Sequence, residues 1–321
     1  MKTKIVAVLF FLVAGLALQL KPSGRVPEAS AQDGQQPEST AVTLLYFPFV
    51  SRSFSTFPGG LVTFDSKRDR NWEIYIMNAN GTSQTRLTNT TAEDHAPNLS
   101  PDRTRIAFHT NRDGNWEIYT MNTSGGQLRN LTGNSRSDAF PAYSSDNKKI
   151  AFASDRDGDW EIFTMNNDGT GLVQLSKNSV MDTNPTWSPD GHWIAYEGEE
   201  GDRNHIFVMR ASDGAQVERL TDRSEGGINP SWSPDGNWIA YEAWRNNNWE
   251  VMVMRTDGSQ VTNLTNNTFA DRFPSWSPDS RYLIFSSDRD GSSELYAMLL
   301  TGANVAKLTT GGGPNTNPTW R

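Results

Sequence analysis

The chain has 321 residues, 36% of them hydrophobic, and contains no cysteine. The lack of cysteine excludes a disulfide scaffold, a zinc–thiolate site, an iron–sulfur cluster and a cysteine nucleophile. The formal net charge of −8 disfavours a protein that binds nucleic acid by neutralising phosphates.

The first 31 residues have the layout of a secretory signal peptide. A basic start (residues 1–4) precedes an apolar run (residues 5–18), and Ala29-Ser30-Ala31 is a small-x-small cleavage site. The run is about 14 residues long, shorter than the roughly 20 that cross a bilayer. We therefore expect export to the periplasm or the extracellular space, with no membrane span after cleavage. An uncleaved N-terminal anchor is the alternative.

Residues 32–59 differ in composition from residues 60–321. The polar stretch 32–40 is typical of a flexible linker. Residues 41–50 (AVTLLYFPFV) are apolar and rich in β-formers, so they predict one strand-like segment. The sequence leaves open whether this segment packs on the main domain or has a role in export or anchoring.

Residues 60–321 contain a repeat of 44 or 45 residues, which three markers give independently. One marker is the methionine that ends each W-E-I-Y-x-M-like segment, and the others are a proline and a Leu-Thr-like pair. The methionines are Met77, Met121, Met165, Met209, Met254 and Met298.

Each repeat unit contains four short strand-like stretches separated by turn residues. In the third unit they are residues 141–144, 150–153, 161–165 and 172–175. Units of this length with four strands are typical of propeller blades. Helical repeats are excluded because no unit holds an uninterrupted apolar run of helical period.

The two ends of the repeat predict how the ring closes. Residues 61–64 align with the second strand of a unit, whereas residues 317–320 align with the first strand. The last strand should therefore complete the first blade, which leaves no open sheet edge in the ring. The sequence thus predicts an all-β, six-bladed β-propeller with four antiparallel strands per blade, and we expect a monomer.

Tryptophans recur at two positions of the repeat, and we expect both to fill the space between blades. Those of the first strand are Trp187, Trp232, Trp276 and Trp320. Those of the third strand are Trp72, Trp116, Trp160 and Trp249. An aromatic platform for sugars is the alternative interpretation.

Opposite charges recur five residues apart around the loop between the second and third strands. The arginines are Arg68, Arg112, Arg156, Arg245 and Arg289, and the glutamates are Glu73, Glu117, Glu161, Glu250 and Glu294. In the remaining unit Glu200 replaces the arginine and His205 replaces the glutamate. This exchange predicts an Arg–Glu ion pair within each blade.

A third polar position stands three residues before each first-strand proline. Its occupants are Asp94, Asp138, Asp182, Gly227, Asp271 and Asn315. These residues should lie near the central channel, so the four carboxylates and Asn315 are candidate ligand-binding residues around its mouth. The alternative is a structural role, in which they cap loop amides or bond the arginines.

The repeated motifs carry a family resemblance. P-x-W-S-P-D-G, then I-A-F/Y, S-D-R-D-G-x-W-E-I-Y-x-M and L-T, are seen in residues 184–191, 150–165 and Leu131-Thr132. They resemble the repeat of the TolB-like β-propeller family over residues 60–321. The resemblance implies a periplasmic protein that binds a lipoprotein partner across its propeller. TolB also carries an α/β domain before the propeller, for which residues 32–59 leave too little room.

Three functions compete on this basis. We expect a non-enzymatic, exported scaffold that presents a face or channel mouth to a protein or peptide partner, without a cofactor. The alternative is a propeller hydrolase or lyase with an acidic site at the channel mouth, for which Ca²⁺ is the candidate ion. A carbohydrate binder that uses an exposed Trp244 is the third. No G-x-S-x-G elbow is present, and the four histidines occupy four different repeat positions.

Overall fold

The computed structural model describes residues 57–321, in which every regular element is a β-strand. The strands form six sheets of four antiparallel strands each. The innermost strands of successive sheets lie beside one another around a central channel. The predicted six-bladed β-propeller is confirmed.

The strands of each blade are given in order from the channel outwards. Blade 1 contains β24 (Asn315–Trp320), β1 (Leu61–Ser66), β2 (Glu73–Asn78) and β3 (Thr85–Arg86). Blade 2 contains β4 (Asp94–Leu99), β5 (Arg105–Thr110), β6 (Glu117–Asn122) and β7 (Arg129–Asn130). Blade 3 contains β8 (Asp138–Tyr143), β9 (Lys149–Ser154), β10 (Glu161–Asn166) and β11 (Val173–Gln174).

Blades 4 and 5 have longer central strands than the others. Blade 4 contains β12 (Asp182–Trp187), β13 (Trp193–Glu200), β14 (Arg203–Arg210) and β15 (Glu218–Arg219). Blade 5 contains β16 (Ile228–Trp232), β17 (Trp238–Arg245), β18 (Asn248–Arg255) and β19 (Thr262–Asn263). Blade 6 contains β20 (Asp271–Trp276), β21 (Tyr282–Ser287), β22 (Glu294–Leu299) and β23 (Ala306–Lys307).

Blade 1 closes the ring by joining two distant parts of the chain. Strand β24 pairs antiparallel with β1, and the backbones of Leu61 and Arg321 exchange two hydrogen bonds of 2.8 and 3.0 Å. The side chain of Asn317 also donates to Asp65 (2.8 Å). The predicted closure by the last strand is confirmed, and it gives blade 1 the four strands of its neighbours.

A serine hydroxyl organises the turn between the first two strands of a blade. In blade 4 the Ser188 hydroxyl donates to Asp190 (2.5 Å) and accepts the N–H of Trp193 (2.9 Å). Gly191 adopts φ +72°, a conformation that glycine reaches without steric cost. Each such turn therefore fixes the end of an inner strand beside the channel.

The core lies between neighbouring blades, where apolar side chains of facing sheets interlock. Three first-strand tryptophans, Trp187, Trp276 and Trp320, are buried as expected, whereas Trp232 is only partly buried. The third-strand tryptophans differ. Trp72, Trp116, Trp160 and Trp249 are only partly buried. Their position at the start of the third strand, beside a surface loop, leaves part of each ring in contact with solvent.

The predicted signal peptide and the strand-like segment 41–50 lie outside the described residues. Within residues 57–321, nothing helical has the length and apolarity needed to cross a bilayer.

Candidate functional site: the central channel

The inner strands bend sharply where they line the channel. Each has one residue in the left-handed region directly before its proline, with φ between 46° and 56°. The six residues are Ala96, Phe140, Asn184, Asn229, Phe273 and Asn317. The strand pairing shifts register at the same point in every blade, as a β-bulge does. The conformation costs on the order of 1 kcal/mol for a residue other than glycine, so neighbouring groups must hold it.

Buried carboxylates on the second strands hold three of these bulges. Asp65 accepts the backbone N–H of Ala96 (3.0 Å), and Glu242 accepts that of Phe273 (2.7 Å). Glu197 accepts the backbone N–H of Asn229 (3.3 Å) in the same way. Each carboxylate thereby links its own blade to a bulge at the channel. Sequence reasoning missed them, although an acid inside an otherwise apolar strand was a visible signal.

The environment of these carboxylates changes their proton affinity. Burial raises the pKa of Glu242, and the guanidinium of Arg272, 2.7 Å away, only partly opposes this effect. Burial also raises the pKa of Glu197. Burial acts in the same direction on Asp65, but bonds from His95, Thr316 and Ala96 outweigh it and lower its pKa.

The half of the channel next to the Ser-Pro-Asp turns contains a cavity of about 380 Å³, called here the turn-side cavity. Each of the six inner strands contributes the same three positions to its wall: the bulge residue, the proline and the residue after it. The prolines are Pro97, Pro141, Pro185, Pro230, Pro274 and Pro318. Because proline has a fixed φ and no N–H, the wall is stiff at these six points and offers no main-chain donor there.

Hydrogen bonds between inner strands stiffen the wall further. The Asn98 side chain of blade 2 accepts the N–H of Tyr143 in blade 3 (2.9 Å). The Thr319 hydroxyl of blade 1 donates to the carbonyl of Pro97 in blade 2 (2.8 Å). Adjacent blades are thus joined at the channel itself, and the cavity is formed before any ligand binds.

The opposite half of the channel holds a second cavity of about 400 Å³, called here the loop-side cavity. Trp72, His95, Arg272 and Phe273 are among the residues that line it. The Trp72 and His95 rings lie 5.0 Å apart, and the Arg272 guanidinium lies 4.9 Å from the Phe273 ring. This mouth therefore offers aromatic surface and two basic side chains.

The predicted channel-mouth residues start the inner strands but are almost completely buried. Asp94, Asp138, Asp271 and Asn315 are 0% exposed, and Asp182 is 2% exposed. None of them lines either cavity. Their hydrogen bonds within the blades give them a structural role, and their binding of an external ligand stays a prediction.

The predicted Arg–Glu pair is wrong, because the arginines reach across to the inner strand instead. Arg112 lies 2.9 Å from Asp94, and Arg156 lies 2.8 Å from Asp138. Arg289 bonds Asp271 at 3.0 Å, and Arg68 bonds the Asn315 side chain at 2.7 Å. Each of these guanidiniums also packs over two aromatic rings of its blade, within 4.6 to 5.6 Å of the ring centres.

The glutamates point the other way, towards the segment that leads into the next blade. Glu161 accepts the Ser176 hydroxyl and the Asn178 N–H (2.5 Å). The Asn178 side chain then donates to Asp182 of the following blade (2.7 Å). Arginine, aspartate and glutamate thus belong to one network, but the glutamate connects blades whereas the arginine acts within one.

Blades 4 and 5 depart from this network because their longer central strands move the loop. Glu200, at the arginine position, pairs with Arg219 (3.0 Å) and Arg223 (3.1 Å). Arg245 of blade 5 pairs with Glu225 (2.5 Å). Asp182 consequently has no arginine as an ion-pair partner. Burial, with a contribution from the nearby Glu161 charge, raises the pKa of Asp182 to about 7.

Three carboxylates at the edge of blade 3 lie close together. Oxygens of Asp157, Asp159 and Glu161 are within 4.8 Å of one another. In blade 2 the amide of Asn115 holds the corresponding position and donates to the carbonyls of Asn134 (3.1 Å) and Arg136 (2.6 Å). Asp159 has no amide to donate, and one of its oxygens is enclosed without a partner. Binding of Ca²⁺, for which the sequence offered the channel mouth, stays a prediction.

Comparison with known proteins agrees with the fold and the repeat. The family model of the TolB beta propeller domain matches residues 50–139 and 134–321. The chain belongs to this family. No curated protein matches the chain.

Solved structures similar to this TolB-family propeller show the same fold at low identity. TolB from Acinetobacter baumannii is 21% identical with a TM-score of 0.72, over 81% of this chain and 66% of that one. The putative TolB from Agrobacterium tumefaciens is 22% identical with a TM-score of 0.66, over 82% and 94%. Oligogalacturonate lyase from Vibrio parahaemolyticus is 13% identical with a TM-score of 0.54, over 76% and 73%.

Proposed function

We propose that this TolB-family propeller is an exported, non-enzymatic scaffold that binds a protein or peptide partner through its central channel. The observation that carries the proposal is the preformed channel, whose turn-side and loop-side cavities measure about 380 and 400 Å³. Concave sites of this size suit an inserted loop or chain end of a partner.

The rigidity of the channel wall supports binding. Six prolines, six bulges and hydrogen bonds between the inner strands set the wall in place before a ligand arrives. A preformed site spends little free energy on ordering itself, so more of the contact energy contributes to affinity. Membership of the TolB beta-propeller family, for which the resemblance implies a protein partner, favours a protein over a small molecule.

The alternative of an acidic hydrolase or lyase has less support. The carboxylates that would form its site, such as Asp138 and Asp271, are 0% exposed and already bonded to arginine. A general acid or base must come within hydrogen-bond reach of its substrate. The similarity to oligogalacturonate lyase, at 13% identity, bears on the fold alone.

Export is proposed from the sequence of residues 1–31, with the periplasm favoured by the family. We further propose a monomer, since ring closure pairs the edge of β1 that an open array would expose.

Site-specific photo-crosslinking tests the proposal. Ser231 lines the turn-side cavity, so p-benzoylphenylalanine placed there should crosslink a bound partner in cells of the source organism. Mass spectrometry of the adduct identifies the partner and its contact segment. We expect one dominant adduct from position 231.

Val217 provides the matched control, because it is 56% exposed on the outer side of blade 4 and lies away from the channel. The same probe at position 217 should give no such adduct. Equal adducts from both positions, or none from position 231, would contradict a partner seated in the channel.

A further inference from the structure

Arg321 brings an unpaired positive charge to the turn-side cavity. Its backbone completes the ring by exchanging hydrogen bonds with Leu61, and its side chain lines the cavity. The Nε atom is enclosed and has no acceptor. Within residues 57–321, no carboxylate lies within 4.0 Å of its guanidinium. Burial accordingly lowers the pKa of this arginine.

The contrast with the network arginines shows how unusual this placement is. Arg112, Arg156 and Arg289 each bond a buried aspartate at 2.9, 2.8 and 3.0 Å. Burying a cation without a partner is costly, so buried charges are normally paired. An anion that enters the cavity would supply the missing partner of Arg321.

A second arginine stands on the neighbouring blade. Arg103 lines the same cavity, and no described carboxylate lies within 4.0 Å of its guanidinium. It has φ +60° at the turn position that Gly191 and Gly236 occupy in blades 4 and 5. The described lining of the turn-side cavity includes no aspartate or glutamate. The charged side chains among its described lining residues are therefore those of Arg103 and Arg321.

A buried N–H donor without a partner points the same way. The indole nitrogen of Trp187 donates to the carbonyl of Ala142 (3.1 Å), and that of Trp276 donates to the carbonyl of Ser231 (2.9 Å). Trp232 holds the equivalent position in blade 5 and lines the cavity, yet its indole N–H is enclosed without an acceptor, as is that of Trp320 in blade 1. The cationic groups that line the cavity are the guanidiniums of Arg103 and Arg321, so the cavity favours a ligand that supplies a negatively charged acceptor.

The rim of the cavity limits how much negative charge can enter. Five turns of this face carry an aspartate that accepts the serine hydroxyl of its own turn, at 2.5 to 2.7 Å. They are Asp102, Asp146, Asp190, Asp235 and Asp279. These carboxylates would repel a polyanion at the entrance, whereas a single carboxylate inserted past them meets the arginines.

We propose that the turn-side cavity binds a peptide segment through one carboxylate, which pairs with the guanidinium of Arg321. The inference rests on the proposed function and names the chemistry of the ligand. A saccharide fits less well, because Trp187 and Trp276 are buried between blades and their rings are not free to stack on a sugar. Both an acidic side chain and a free chain end could supply the carboxylate.

A titration with defined peptides tests the inference on the full ¹⁵N-labelled chain. The probes are acetyl-Ser-Gly-Glu-Gly-Ser-amide, its Gln and Lys analogues, acetyl-Ser-Gly-Gly with a free carboxyl end, and trigalacturonate. The NMR signals of the Arg321 Nε–H and the Trp232 indole N–H, assigned with R321Q and W232F, report binding at the site. We expect the Glu peptide to bind about tenfold more tightly than the Gln analogue, as a charge-assisted bond should give.

Variants at position 321 show whether the charge acts there. R321Q should bind the Glu and Gln peptides equally, whereas R321K should keep part of the preference. R281Q is the matched control, because Arg281 is 70% exposed in the blade 6 turn and does not line the cavity. R321Q should melt at the same temperature as the wild type or higher, since it removes a partly buried charge that has no ion-pair partner.

Several results would overturn the inference: no preference for Glu over Gln, tighter binding of the Lys peptide or of trigalacturonate, or an unchanged preference in R321Q. A stronger response to the free carboxyl end than to the Glu peptide supports the inference and identifies a chain end as the source. If all peptides bind regardless of charge, the inference fails and the channel remains a peptide site. If the Glu peptide binds but position 231 gives no crosslink, the inference stands and the proposed function fails.

Discussion

Blades 3 and 4 have similar sequences, but the first aspartate of the inner strand has an ion-pair partner only in blade 3. In blade 3, Asp138 is fully buried and bonded to Arg156 at 2.8 Å. In blade 4, Asp182 is as deeply buried, but Glu200 stands at the arginine position and pairs with Arg219 instead. One blade thus neutralises its buried carboxylate, whereas the other leaves it next to the charge of Glu161.

This difference indicates that the ring tolerates the loss of one ion pair, because each network of polar side chains involves only a few residues. A buried carboxylate without a cationic partner is destabilising, yet the blades on both sides of Asp182 keep their cores. In a closed ring every blade packs against two neighbours, so a weak blade is held by both of them. Closure should therefore matter more to stability than any single ion pair.

The largest effect is expected from deletion of residues 315–321, which removes β24 and with it Asn315, the blade 1 counterpart of Asp138 and Asp182. The deletion exposes the edge of β1 and opens the ring, so we expect loss of the cooperative fold. Circular dichroism melting and hydrogen exchange check this. A truncated chain that melts like the intact one would mean that the ring does not depend on closure.

Arg156→Met breaks the blade 3 network and should have the second largest effect. It leaves Asp138 buried without its partner, and we expect a loss of about 3 kcal/mol of unfolding free energy. Urea denaturation measures it. Glu200→Gln is the matched change in blade 4 and should alter stability by no more than about 0.5 kcal/mol, because its ion pairs are partly exposed. Equal losses in both variants would remove the contrast between the blades.

Asp182→Asn tests the difference between blades 3 and 4 through the pH dependence of the unfolding free energy. The pKa of Asp182 is about 7 in the folded protein, against an ordinary value of 3.8, so folding favours the protonated carboxyl. The resulting stability is complete below the ordinary pKa and is lost as pH rises through 7. Asp182→Asn should therefore match the wild type near pH 4 and exceed its stability near pH 8.

Asp138→Asn serves as the control, because it weakens a charge-assisted bond from Arg156 and should lower stability near pH 8. Urea titrations at both pH values separate the two variants. The contrast fails if the substitutions change stability in the same direction at pH 8.

The smallest effect is expected at Asp159. Asp159→Asn restores the amide that bonds two carbonyls in blade 2, and we expect a gain of about 1 kcal/mol. Asn115→Asp makes the reverse change in blade 2 and should lose a similar amount. Thermal melting with EDTA and with added Ca²⁺ checks both. A wild type that Ca²⁺ stabilises and Asp159→Asn does not would assign the carboxylate to a metal instead.

The repeat spacing was sufficient to predict the blades, their number and their closure. A period of 44 or 45 residues marked by methionine, proline and Leu-Thr depends only on local strand and turn chemistry, which each unit repeats. The partners of the repeated charges were not predictable in this way. Arg156 and Glu161 are close in sequence, but Arg156 bonds Asp138 on β8, whereas Glu161 bonds Ser176 in the segment after β11.

The channel was the least predictable part of the site. Asp65, Glu197 and Glu242 stand at one strand position where the other three blades have a neutral residue or histidine. An acid at this position is therefore not part of the repeat pattern, and the repeat did not indicate a role for it. Their importance follows from the bulges, which place backbone N–H groups of the next blade against them. Likewise, no sequence pattern marks Arg321, because it is a single basic residue outside the repeated positions.

The sequence by itself determined the architecture of this protein, because strands, turns and closure follow from short-range patterns repeated six times. Only the tertiary structure decided which polar groups are paired and which face the channel. That outcome depends on which strands lie side by side around the axis, and so on contacts between residues as far apart as Asp65 and Asn317.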